Sequence, residues 1–67
     1  MIEKHCYDNN NTRLYIGNYV LIPETDSVGK IEHLYPDNQI ELSFPDHANQ
    51  TINALDCYKI NKQLEEK

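Results

Sequence analysis

Tryptophan is absent from this 67-residue chain, phenylalanine and methionine occur once each, and there are two glycines and two cysteines. Each shortage excludes something. Gly17 and Gly29 stand alone, so no Gly-rich loop can wrap a phosphate. Cys6 and Cys57 lack the short paired spacing of a zinc motif such as C-x-x-C. His5, His33 and His47 do not supply it, and His5 next to Cys6 would point away from it in a strand. No metal and no cofactor is expected. Two cysteines so far apart are also too few for a disulfide-stapled secreted miniprotein. No apolar run approaches the roughly 18–20 residues of a bilayer span. The start, "MIEKHCYDNNN", has neither the basic opening nor the apolar core of a signal peptide. A cytoplasmic chain with both thiols reduced is expected. The two would sit side by side if the N-terminal segment packs on the last strand.

Bases are scarce too. Net charge is -5, and between Leu14 and Tyr58 Lys30 is the only base, set against Glu24, Asp26, Glu32, Asp37, Glu41, Asp46 and Asp56. Lys4, Arg13, Lys59, Lys62 and Lys67 lie towards the two ends. Nucleic-acid affinity comes largely from Lys and Arg displacing counterions, so this body should repel phosphate backbones. The carboxylates fall at exposed or loop positions with no reason to converge, which gives no support for acid–base catalysis. Cys57 with a distant His could imitate a nucleophile–base pair, but a small buried apolar Cys is the simpler reading.

What remains reads as short strands. "DNNNT" favours turns, and residues 1–13 form a short irregular N-terminal arm. Strands are expected at Asn18–Ile22, Val28–Tyr35, Gln39–Phe44, around Thr51–Asn53 and near Tyr58–Ile60. Gly17 marks a bend or bulge before the first, and Gly29 a bulge or close backbone approach. Pro23 ends the first strand. "YPDN" suits a type I turn with Pro36 at its second position. "ALDCYKI" supplies a helical turn before the last strand, and residues 62–67 a polar tail. The fold class is all-β: a small five-stranded barrel over 14–61. Its expected interior is Val20, Ile22, Ile31, Leu34, Ile40, Leu42, Phe44, Leu55 and Ile60.

"IGNYVLI", "VGKIEHLYPDNQIELSF" and "TINALDCYKI" together resemble the SH3-like small barrel of the KOW and Tudor type. Gly17, Val20, Ile22, Gly29, Ile31, Leu34, Ile40, Leu42, Phe44, Leu55 and Ile60 occupy its slots. The resemblance implies a fold and not a job, because such barrels host many functions. KOW-type RNA binding wants basic loops, and "PETDS" and "PDHANQ" are acidic. Polyproline capture wants several aromatics, usually with a Trp. A Tudor-like cage could draw on Tyr19, Tyr35, Phe44 and Tyr58, with Asp37 or Asp46 as counter-charge. The reading favoured is a non-enzymatic protein–protein interaction module. Its candidate binding residues are Tyr19, Tyr35, Tyr58, Glu24, Asp26 and Asp37. Its partner is another protein with a basic surface, or a second copy in a homodimer. The alternatives are a KOW-like nucleic-acid or ribosome-associated factor, and an acidic mimic of nucleic acid that inhibits a DNA-binding enzyme.

Overall fold

The computed structural model describes residues 5–61. The polar tail expected at 62–67, together with Lys4, lies outside the described residues. Just over half of the described residues are in strands, and none is in an α-helix. The strands are β1 (Cys6–Tyr7), β2 (Arg13–Leu14), β3 (Tyr19–Ile22), β4 (Ser27–Tyr35), β5 (Gln39–Ser43), β6 (Gln50–Asn53) and β7 (Tyr58–Ile60). Short 3-10 turns occupy Pro36–Asn38 and Ala54–Asp56. β1 and β2 form their own two-stranded sheet, and the others form a five-stranded antiparallel sheet in the order β6-β5-β4-β3-β7. Neither sheet closes on itself in its hydrogen bonding.

Period-two alternation sorts the side chains onto two faces. Val20, Ile22, Ile31, Ile40 and Leu42 point inward and are buried. A bulge at Glu32 lets Glu32 and His33 both oppose Glu41, so Leu34 still returns to the inner face opposite Ile40. Gly29 pairs with Val20, and here the chain does need the missing side chain: a Cβ would come within 2.9 Å of the Phe44 ring and 3.0 Å of Leu42 Cβ.

Two expected core positions, Leu55 and Ile60, come out differently, while Leu34 and Phe44 are half-buried and packed against the core. Leu55 is 52% exposed, because the 3-10 turn rotates Ala54 inward in its place. Ile60 pairs with Tyr19, and that register carries it to the outer face, where it is half-buried. Phe44 lies just past β5, half-buried against the core, with its ring stacked on His47 at 4.3 Å. The turn after β4 also departs from type I. Asp37, its third residue, has φ 65° where type I requires a negative value, and Asn38 follows at φ 62°.

The larger surprise lies in residues 6–14, which form a hairpin within the segment expected as an irregular arm. Cys6 and Leu14 pair and are fully buried in the main core. Asp8 holds the hairpin in place and is only 2% exposed. Its Oδ1 accepts from the backbone N–H groups of Asn10 and Thr12, each at 2.8 Å, closing the loop. Its Oδ2 accepts from Lys59 N–H at 2.7 Å, and Asn9 N–H donates to Cys57 O at 3.0 Å. The hairpin thus satisfies the outer edge of β7, which would otherwise offer unpaired backbone groups to another chain. Asn38 completes the anchorage: its amide accepts from Tyr7 N–H and donates to Tyr7 O.

Both thiols are free and buried in one core cluster. Cys57 is pushed up to about 12 by burial, then by the charges of Asp8 and Asp56. Burial also raises Cys6, whose Sγ faces the carbonyls of Tyr35 and Gln39. The thiolate is the reactive form. Neither cysteine should therefore react with iodoacetamide at mildly alkaline pH in the native chain, and both should react in urea. Intact-mass spectrometry reads the result directly.

Candidate functional site

The outer face of the five-stranded sheet carries the chain's unusual surface. Tyr19 pairs with Lys30 and Lys30 with Ser43, so all three project to this side. Leu21 pairs with both Val28 and Tyr58, which extends the same face across β7. An open cleft of about 420 Å³ is lined here by Tyr19, Val28, Lys30, Ser43, Phe44 and Pro45. A second, of about 270 Å³, shares Val28, Phe44 and Pro45 and adds Asp26, Ser27, Asp46 and His47. The shared residues make the two one groove, with an apolar middle, Lys30 at one end and two carboxylates at the other.

Local sequence explains the shape. Pro45 cannot continue the ladder, so the chain leaves β5 at Phe44 and the ring forms a wall. Asp26 sits at φ 56°, a left-handed position Asp tolerates, and closes the β3–β4 loop at the same end as the β5–β6 loop. Asp46 Oδ1 lies 3.5 Å from His47 Nε2. Among the described residues, no carboxylate lies within ion-pair distance of Lys30 and no base within that distance of Asp26.

A polar cluster occupies the other end of the same face. Glu41 Oε1 is 2.7 Å from His33 Nδ1 and accepts from Tyr35 OH at 3.2 Å, and Oε2 accepts from Asn49 at 3.3 Å. The hydrogen bond from His33, then that from Asn49, holds the Glu41 carboxyl below its ordinary value. Partial burial, then the Glu41 charge, raises the Tyr35 phenol. A lowered carboxyl stabilises the fold above the unfolded-state value of 4.5, and that contribution disappears as pH falls through the lower folded value. Glu41→Gln should therefore shift the urea midpoint slightly at neutral pH, and the difference should vanish only once the pH has fallen below the lowered Glu41 value.

The structure brings some sequence candidates together and separates others. Tyr19 and Asp26 line the groove. Glu24 is exposed in the adjoining β3–β4 loop. Tyr58 shares the outer face beside Leu21 but lies one strand beyond the lining. Tyr35 and Asp37 sit at the far end of β4, away from Asp26. Of the four cage aromatics, only Tyr19 and Phe44 meet in one cleft. Val28, Lys30, Pro45 and His47 were not among the binding residues expected from the sequence. The phrase "FPDH" could have suggested Pro45 and His47, since a proline directly after an alternating strand turns the chain away from the ladder.

Among the described residues the bases do not assemble into one face. Lys30 projects outward, whereas Lys59 pairs with Val20 and so belongs to the inner side of β7. Arg13 stands on the hairpin, its guanidinium 4.8 Å from the Tyr15 ring centre. No group of three or more His, Cys, Asp or Glu among the described residues could hold a metal ion. Among the same residues no helix is long and apolar enough to cross a membrane. Comparison with models of known protein families, with curated proteins and with solved structures finds no match for this chain.

Proposed function

We propose that the chain is a non-enzymatic protein-interaction module of the SH3-like type, working in the cytoplasm. Its docking surface is the outer groove around Val28. The fold part of this reading is supported by strand order: four strands meander, a 3-10 turn follows, and the fifth returns to pair with the first. The functional part is carried by one observation. Half-buried apolar side chains, Tyr19, Val28 and Phe44, line an open groove in which neither Lys30 nor Asp26 has an ion-pair partner among the described residues. Apolar surface of this kind, rimmed by charge, is what partner proteins cover. Two buried unbonded thiols suit a reducing compartment.

A photo-reactive phenylalanine analogue in place of Tyr19, in the source cell, tests the reading. A discrete protein adduct is expected from that position and not from Asn10, at the hairpin tip. Absence of an adduct at position 19, or an adduct to nucleic acid, would overturn it.

The nucleic-acid alternative gives its own expectation. With Lys30 and Lys59 on opposite faces, few phosphates can be neutralised at once. The chain should show no measurable binding to RNA or duplex DNA at about 150 mM salt, being weaker than roughly 10⁻⁴ M. Fluorescence anisotropy with a labelled oligonucleotide checks this.

A further inference from the structure

The geometry points to a specific occupant of the groove: a short extended peptide segment with a basic residue, an apolar residue and an acidic residue at alternate positions. This rests on the reading of the outer face as a docking surface and names the chemistry of its partner. Three β4-side groups set the pattern. Asp26, Val28 and Lys30 are two residues apart in sequence, and all three line the groove. Asp46, from the β5–β6 loop, joins Asp26 at the acidic end, and Phe44 and Pro45 thicken the apolar middle.

Val28 and Lys30 lie on β4, about 7 Å apart at about 3.3 Å per residue, and Asp26 precedes the strand in the β3–β4 loop at φ 56°. A bound extended peptide covers Val28 to Lys30 in two steps and reaches the acidic loop end with two more. Its side chains at i, i+2 and i+4 face one side. A base at i would then meet Asp26 and Asp46, an apolar residue at i+2 would lie on Val28 and Phe44, and a carboxylate at i+4 would meet Lys30. The reversed order, acid first, fits by running the peptide in the opposite direction. β4 is an interior strand, paired on both sides. The peptide therefore lies across the face and is read by its side chains, not added as a further strand. The sole base between Leu14 and Tyr58 thereby acquires a role: Lys30 sets the acidic end of the motif and makes recognition bipolar.

Selection of random linear heptapeptides displayed on phage, against the intact chain, tests this. The enriched peptides should share a base and an acid four positions apart with an apolar residue midway. In fluorescence polarisation, Asp46→Asn and Asp26→Asn should each weaken the consensus peptide about fivefold, the size of an exposed ion pair. Asn tolerates the left-handed backbone at position 26, so that variant should keep its loop. Selection repeated on Lys30→Glu should replace the acid of the motif with a base. No enrichment, enrichment without the paired charges, or a motif unchanged by Lys30→Glu would overturn the inference. Self-association of the chain that Asp46→Asn abolishes would assign the groove to a second copy, and would overturn it equally. None of these outcomes removes a protein adduct at position 19, which decides the docking reading separately.

Discussion

Asp8→Ala should lower the unfolding free energy by about 3–5 kcal/mol, which is on the order of the whole stability of a domain this small. The carboxylate accepts three backbone N–H groups, two in its own loop and one from Lys59. Hydrogen bonds to a charged group contribute about 1.5–3 kcal/mol each. The loop N–H groups of Asn10 and Thr12 lie at exposed positions and can recover part of the loss from water. The Lys59 N–H belongs to the edge the hairpin covers, and recovers less. Urea denaturation followed by circular dichroism gives the magnitude, and amide exchange at Lys59 gives the mechanism: it should become fast. Asp8→Asn keeps one acceptor oxygen and should fall between the two. Protection at Lys59 unchanged in the alanine variant would remove Asp8 from its place as the clamp.

Gly29→Val has the next largest expected effect, about 3 kcal/mol at the upper end of overpacking. The added carbon would meet the Phe44 ring at 2.9 Å and Leu42 Cβ at 3.0 Å, closer than such atoms approach. Leu42 is fully buried and cannot yield, so Phe44 must swing. The same ring forms the wall of the outer groove, and the substitution should therefore change the groove as well as the stability. A pair with Gly29→Ala separates the two effects. The smaller side chain should displace Phe44 at a lower cost, leaving a folded chain with altered shifts for the ring protons of Phe44 and His47. Native-like stability of Gly29→Val would contradict the packing described here.

Much of the sheet was legible because alternation is a local signal. Ile40 and Leu42 against Glu41 and Ser43 settle the faces of β5 without tertiary information. Leu55 was not legible, since a 3-10 turn has no period to expose in three residues, and the smaller Ala54 took the inner place. The hairpin was hidden for a related reason. "DNNNT" favours turns in any context, and its order depends on Asp8 reaching Lys59, 51 residues away in sequence. Half of the site was legible in the same uneven way. Tyr19 and Asp26 carry side chains that attract notice. Lys30 and Val28 became partners of theirs only through the β3–β4 register. Tyr35 and Asp37 looked similar in sequence, but the length of β4 carries them to its other end.

The docking claim is tested most directly by amide chemical-shift mapping of the isotope-labelled chain as the protein partner is added. Shifts are expected at Tyr19, at Asp26 to Lys30 and at Ser43 to His47. Shifts centred on the hairpin tip from Asn9 to Thr12, or on the His33, Glu41 and Asn49 cluster, would contradict the assignment of the groove.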